Sequence, residues 1–332
     1  HSLLKSSKYD CLQFIICVAV KMCEEKSGFS LAESYAVNIL LKKDLFMKWV
    51  KETVGYWCDD IVLRKYLGQG VGVAVLDTGI ILHPDFDRRI IGFSDFVNRR
   101  NAIYDESGHG THVAGILAGS GKMSDGKYAG MAPEAELLIG KVLDREGNGT
   151  VEYVMEGIRW VLALKKKKNI RIVNISVGTQ PGLEKAEEKR LLDGVEALWD
   201  EGLIVVVSAG NYGPGEGTVA VPGSSRKVIT VGATDSVKVW NKDPRKKWNY
   251  SGRGPTECCV VKPDLVAPGT YITSCNGNYL NRWKKPYILK SGTSMATPVV
   301  SGAIACLLSK YPDMTNVEVK LRLRESCIRR NE

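Results

Sequence analysis

Four short apolar runs constrain this chain more than any other feature: residues 71–76, 170–177, 203–208 and 228–231. Each is rich in β-branched residues and places apolar side chains at consecutive positions, not at every second one. A strand with one wet face alternates. A strand that does not alternate is buried on both faces, as in a parallel sheet covered by helices. Between the runs, residues 151–164 and 187–199 repeat their apolar side chains at helical spacing. This alternation predicts an α/β fold with a doubly wound, mostly parallel sheet flanked by helices, and a functional site at the strands' carboxyl ends.

The 332 residues allow one large domain and a small extra one. Residues 1–55 read as a small N-terminal helical module of unknown role, ahead of a domain over 56–332. In the module, Leu12, Ile15, Ile16, Ala19, Val20 and Cys23 recur at helical spacing. Ser30 and Glu33 form a capping box before Tyr35, Ala36, Ile39 and Leu40. The apolar stretch 14–20 lies between Gln13 and Lys21, lacks a small-x-small cleavage site and is too short to cross a bilayer, so a soluble helix is expected.

Nine cysteines are an odd number, and none forms a C-x-x-C pair, so zinc and thioredoxin-like chemistry lack support. Several lie in apolar helical patterns, which points to a reducing, cytoplasmic setting, with secretion as the alternative. A pairing of Cys258 or Cys259 with Cys275 stays open. The net charge of +9 would suit nucleic acid or an anionic membrane. The densest basic run, residues 165–168, lies between a helical pattern and a strand without interleaved aromatics, so a basic soluble protein is the preferred reading.

Three glycine-rich turns carry the chemistry: Asp77-Thr78-Gly79, His109-Gly110-Thr111-His112 and Gly292-Thr293-Ser294-Met295-Ala296-Thr297-Pro298. A serine hydroxyl is a weak nucleophile at neutral pH. It needs a base to take its proton and a buried carboxylate to fix that base's tautomer. Asp77, His109 and Ser294 supply these groups in the order acid, base, nucleophile. Singly, each has a plainer reading: a turn aspartate, a helix-start histidine and an N-cap serine. Asp-Thr-Gly also fits an aspartic protease, which requires a second such carboxylate and an all-β fold. His109 and His112 lack H-E-x-x-H spacing and an evident third ligand, so a metal pair is disfavoured. Asn211 ends an apolar run in a glycine-flanked turn, where its amide can donate to a developing oxyanion.

These segments resemble the subtilisin-like serine proteases, or subtilases, in particular compact bacterial ones. Five ordered blocks carry the resemblance: Val73 through Gly79, His109 through Gly115, Ser208 through Asn211, Lys262 through Gly269 and Gly292 through Pro298. It runs from about Tyr56 to the C-terminus. It implies a subtilisin-like fold and a serine endopeptidase that hydrolyses proteins or peptides through an acyl-enzyme on Ser294. Asp77 would orient His109, Asn211 would join the Ser294 N–H in the oxyanion hole, and His112 would be structural.

The resemblance also places Ser176, Val177 and Gly178 on one wall of the pocket for the residue before the cut, with Ala220 near its base. No acidic residue stands at that base, which implies an apolar or broad preference. Asp105 and Glu106 beside His109 would favour a basic residue at a neighbouring subsite. The chemistry requires no cofactor. Structural calcium is implied at Asp85, although the loop 119–130 departs from the family pattern and leaves Asp125 as a substitute ligand. The expected partners are protein or peptide substrates, with no nucleic acid and no membrane span, and the sequence sets no oligomeric state. His109 and Asn211, in place of the carboxylates of the related sedolisins, imply activity near neutral pH and above.

Two departures stand out. Residues 1–55 do not resemble the larger inhibitory prodomain of secreted subtilases, and the closing segment after the serine helix is short. The rival reading is a catalytically silent subtilase fold that binds or scaffolds a partner. The full set of catalytic residue types disfavours it.

Overall fold

A computed structural model of the chain describes residues 46–56, 59–179, 183–234, 249–280 and 284–327. The four apolar runs become β1 (Gly72–Asp77), β4 (Ile170–Ile175), β5 (Ile204–Ser208) and β6 (Ile229–Ala233). With β2 (Ile90–Asp95), β3 (Glu136–Lys141) and β7 (Leu265–Ala267) they form a seven-stranded sheet in the order β2-β3-β1-β4-β5-β6-β7. Every neighbouring pair is parallel. Val73, Val75, Val205, Val206 and Val207 are wholly buried, although successive side chains face opposite sides. Both faces are therefore dry, as the unbroken apolar runs require. Burying each such side chain contributes about 1.5–3 kcal/mol.

The helices are α1 (Phe46–Thr53), α2 (Asp59–Val62), α3 (His109–Ala118), α4 (Val151–Leu164), α5 (Lys185–Asp200), α6 (Thr293–Lys310) and α7 (Asn316–Ser326). One pair, α4 and α5, packs together and reaches β1 and β5; the other, α3 and α6, packs together with α6 running across β4, β5 and β6. Thr150 caps α4 by accepting from the Tyr153 N–H at 3.2 Å. Thr315 and Glu318 form a capping box on α7. No described helix is long and apolar enough to cross a membrane.

From β1 the chain goes out to the edge strand β2 and returns through β3 on one side, and from β4 onward it builds the other side. The order reverses between β1 and β4, so the crevice at their carboxyl ends is where such a sheet offers a site. A separate antiparallel pair, β8 (Ile272–Cys275) and β9 (Tyr287–Lys290), packs against α3 and leads into α6. Their close approach depends on Gly115, where an added Cβ would stand 2.3 Å from Ser274 Oγ and 2.8 Å from Cys275 Sγ.

Of the expected N-terminal module, only α1 and the residues just after it lie within the described residues. Met47 and Val50 of α1 are buried in the same hydrophobic core as the sheet. Residues 1–45, with Cys11, Cys17 and Cys23, lie outside the described residues, as does Cys58. Cys258, Cys259, Cys275, Cys306 and Cys327 are free thiols. Cys275 is buried while Cys258 and Cys259 are exposed, so the pairing left open by the sequence is not formed.

Candidate active site

Asp77 closes β1 at the switch point, wholly buried. Gly79 carries the chain away with φ +115, and a Cβ there would collide with the Tyr104 carbonyl at 2.2 Å. This turn brings the start of α3 over the carboxylate. Asp77 Oδ1 accepts from the Thr78 N–H at 2.7 Å and lies 2.7 Å from His109 Nδ1. That contact makes Nδ1 the protonated nitrogen in the neutral imidazole and leaves Nε2 free to accept a proton. The His109 side chain is 26% exposed, against none for Asp77. Burial pulls the imidazole down, but the charge and hydrogen bond of Asp77 outweigh it and hold His109 above the usual histidine value.

The histidine helix is anchored from below by Asp105. Its Oδ1 accepts from the Gly108 N–H and the Thr78 hydroxyl, both at 2.8 Å. Its Oδ2 accepts from the Thr111 N–H at 2.8 Å and hydroxyl at 2.6 Å. Thr78 Oγ1 in turn accepts from the Gly110 N–H at 2.9 Å. Asp105 therefore takes up the first N–H groups of α3, a negative charge at the positive end of the helix. Of the two carboxylates expected to favour a basic residue at a neighbouring subsite, Asp105 is not available, being buried and spent on these bonds; Glu106 is exposed, 3.7 Å from Arg100 and 3.8 Å from Lys141.

His112 sits one turn on, fully buried. Its Nε2–H donates to the carbonyls of Ile272 and Ile288, each at 3.1 Å, and so ties α3 to β8 and β9. Burial, then the Lys290 charge, push its pKa down to about 3, so it is neutral across the working range.

Ser294 lies in the first turn of α6, and its hydroxyl donates to the Ser176 carbonyl at 2.9 Å. Asn211 follows β5. Its Oδ1 accepts from the Thr293 N–H at 2.9 Å and hydroxyl at 3.1 Å, which fixes the amide with Nδ2 as the remaining donor. Nδ2 and the Ser294 N–H both lie close to Gly292, at φ +154: a Cβ built there would be 3.4 Å from Asn211 Nδ2 and 3.7 Å from Ser294 N. Two N–H donors thus lie near each other at the start of α6.

His109, Ser294, Asn211, Ser176, Val177 and Gly178 line one cleft of about 320 Å³. Ala220 does not line it. It is buried behind the wall, where a Cβ on Gly178 or Gly210 would stand 2.7 or 2.6 Å from its methyl. The wall is held by Asn174, which donates to Ser176 Oγ at 2.9 Å and accepts from the Ser301 hydroxyl of α6 at 2.8 Å.

Sequence reasoning missed three contributors. Lys141, wholly buried, donates to the carbonyls of Thr78 and Leu143 and pins the loops after β1 and β3. Its signal was a lone charge ending an apolar run. Glu146 and Tyr212 line the cleft from loops that carry no such signal.

Asp85 lies apart from the cleft's lining residues, and its surroundings do not fit calcium. Oδ1 accepts from the Met123 N–H, and Oδ2 from the Gly121 N–H and the Tyr287 hydroxyl. Among the His, Cys, Asp and Glu side chains of the described residues, those clustered with it offer an imidazole nitrogen and a thiol. Calcium takes six to eight oxygens. Asp125, the expected substitute, is exposed and outside this cluster.

This parallel sheet, with a buried carboxylate–imidazole pair and a serine at the head of α6 on the crevice at its switch point, has the architecture of an α/β protein of the doubly wound class. The Subtilase family model matches residues 68–329, and the chain belongs to the subtilase family. It is 43% identical to serine protease AprX of Bacillus subtilis (strain 168), over 77% of this chain and 61% of that protein. It is 35% identical to a thermostable alkaline protease of Halalkalibacterium halodurans, over 80% of this chain and 64% of that protein. The chain thus spans less than two thirds of the length of either relative. Among solved structures, a cold adapted subtilisin-like serine proteinase superposes with TM-score 0.62 at 30% identity, covering 79% of this chain and 83% of that one.

Proposed function

We propose that this protein is a serine endopeptidase that hydrolyses peptide bonds through an acyl-enzyme on Ser294. The observation that carries this reading is the 2.7 Å contact between the buried Asp77 and the Nδ1 of His109, on a cleft that also presents Ser294.

A rotation about Ser294 χ1 would carry the hydroxyl from the Ser176 carbonyl to His109 Nε2. Such rotations are fast compared with turnover. His109 then takes the hydroxyl proton as Oγ attacks the scissile carbonyl, and Asp77 stabilises the imidazolium. The oxyanion forms between Asn211 Nδ2 and Ser294 N–H. Collapse of the tetrahedral intermediate breaks the C–N bond, with His109 returning the proton to the leaving amine. Water repeats the cycle on the acyl-enzyme. The edge at 176–178 would receive the substrate as an added strand, with main-chain bonds giving affinity and side-chain pockets giving selectivity. The methyl of Ala220 behind Gly178 and Gly210 favours small or medium apolar residues before the cut. Glu146 on the cleft favours a basic residue at a neighbouring subsite. The free thiols support a reducing, cytoplasmic setting.

A serine-reactive phosphonate tests the reading. Stoichiometric labelling of the wild type, abolished by Ser294→Ala, is expected. A folded wild type that neither labels nor cleaves casein would overturn it and favour a silent scaffold.

A further inference from the structure

Outside the cleft, His83, Asp85 and Cys275 bring three different ligand atoms together in the interior. The His83 and Asp85 side chains have no exposure, and Cys275 is 1% exposed. His83 Nδ1 lies 3.7 Å from Asp85 Oδ1, Cys275 Sγ lies 3.7 Å from Asp85 Oδ2, and all three ligand atoms fall within 4.8 Å of one another. We propose that His83 Nδ1, Asp85 and Cys275 Sγ bind a borderline-soft divalent cation, zinc above all, in a structural site.

The spacing is close to what one ion needs. Tetrahedral zinc, with bonds of about 2.0–2.3 Å, sets its N, O and S ligands about 3.3–3.6 Å apart. The cluster, whose ligand atoms all lie within 4.8 Å of one another, therefore has to contract by no more than about 1.5 Å. The histidine is already oriented as a ligand. Its Nε2–H donates to the Pro286 carbonyl at 3.0 Å, which leaves the Nδ1 lone pair facing the cluster, where it now meets the Asp85 N–H at 3.2 Å. An outer-shell backbone acceptor of this kind is the usual partner of a metal-bound imidazole. Asp85 keeps outer-shell donors of its own in the N–H groups of Gly121 and Met123 and the hydroxyl of Tyr287. Phe86, Tyr279 and Tyr287 pack around the imidazole, and a water would complete the tetrahedron begun by the three protein ligands.

The charges also balance. Binding converts the Cys275 thiol to a thiolate and releases one proton to solvent. The carboxylate and thiolate then neutralise the dication, with the imidazole neutral. Among hard and soft cations, the thiolate and imidazole select zinc over calcium.

The site would join three segments. His83 and Asp85 follow the turn that leaves Asp77, Cys275 ends β8, and Tyr287 begins β9, which runs on toward Ser294. A metal here would fix the register between the β1 side and the α6 side of the cleft. It is independent of the proposed peptidase activity.

The test is metal content and ligation of the full chain produced in medium supplemented with zinc or with cobalt. About one zinc per chain is expected by elemental analysis. The cobalt form should show a thiolate-to-cobalt charge-transfer band together with the visible bands of a tetrahedral ion. Cys275→Ser should lose that band and most of the metal, whereas Cys306→Ser, at a buried thiol outside the cluster, should keep both. Stripping the metal should lower Tm in the wild type. A folded wild type without bound zinc, a cobalt form without the thiolate band, or calcium bound in preference to zinc would each overturn the proposal. The wild-type spectrum remains decisive even if Cys275→Ser fails to fold.

Discussion

The Ser294 hydroxyl is hydrogen-bonded to the main-chain carbonyl of Ser176, 2.9 Å away, so the proposed nucleophile rests on the wall that would receive the substrate. A peptide strand pairing with that wall brings its own N–H donors and competes for the same carbonyl. Resting state and substrate binding are thereby linked. A neutral hydrogen bond of this kind contributes about 0.5–1.5 kcal/mol. Ser294→Ala should therefore leave Tm within a few degrees of the wild type and lower kcat by about 10⁴-fold or more. Paired thermal melts and active-site titration measure both, and a large Tm loss would show that the serine acts mainly as a structural anchor.

Asn211 Oδ1 holds Thr293, and in the proposed mechanism Nδ2, close to Ser294 N, donates to the oxyanion. Asn211→Ala should lower kcat by about 10²–10³-fold, the range known for a subtilisin oxyanion asparagine, with a smaller change in KM. Asn211→Asp keeps the acceptor and loses the donor, so it should be as slow while retaining the start of α6. Steady-state kinetics on both variants separate the two roles.

Asp105 is the hidden support of the base. Both oxygens face donors only, four in all: Thr78 Oγ1, Gly108 N, Thr111 N and Thr111 Oγ1. Asp105→Asn turns one oxygen into a donor group facing donors and should cost roughly 2–4 kcal/mol. Urea unfolding is expected to show that loss. The kcat should fall as well, because the residues carrying His109 lose their anchor. Unchanged stability would contradict the network.

Much of this was legible because the signals were local. Residues 170–177 carry consecutive apolar side chains, so β4 was expected, and β1, β5 and β6 likewise. The residue types at 77, 109, 211 and 294 each lie in a turn that only a few chemistries need. Other elements gave no such signal. β3 reads Glu-Leu-Leu-Ile-Gly-Lys, whose first residues are good helix formers, and it becomes a strand through pairing with both β1 and β2. β7 has three residues between Pro263 and Pro268, too few for any period. The role of Asp105 was misread because a carboxylate beside a catalytic histidine looks available until its four donors are placed. Similarly, Asp85 resembled a calcium ligand in sequence, and only the folded neighbours show an imidazole and a thiol beside it.

Ala220 fills the space behind Gly178 and Gly210 with a single methyl. Ala220→Gly should open that space and raise kcat/KM for substrates with a large apolar residue before the cut by roughly 10-fold. One methylene in such a pocket is worth about 1–3 kcal/mol. Gly178→Ala should do the reverse, since its Cβ would meet the Ala220 methyl at 2.7 Å. A peptide series varied at that residue reads the change, and equal effects on small and large residues would place the pocket elsewhere.

Lys290 ends β9 half-buried, close enough to His109 for its charge to lower the imidazole's pKa. Its own pKa is lowered by burial, with Asp105 and then Asp77 opposing. The proposed mechanism needs neutral His109, whose pKa is held above the ordinary histidine value because Asp77 outweighs burial and Lys290. Activity should therefore rise with pH through a value above that of an ordinary histidine. Lys290→Met removes one lowering influence, so that acid limb should move to still higher pH while the rate on the alkaline plateau changes little. The same shift acts on stability. A histidine whose folded pKa is raised contributes stability below the unfolded value and loses it as pH rises through the folded value. Lys290→Met should accordingly enlarge the stability that His109 contributes on the acid side. The kcat/KM profile and a proton NMR titration of His109 in the Ser294→Ala background measure the shift directly. A limb that moves to lower pH would mean that Lys290 acts on His109 by some route other than its charge.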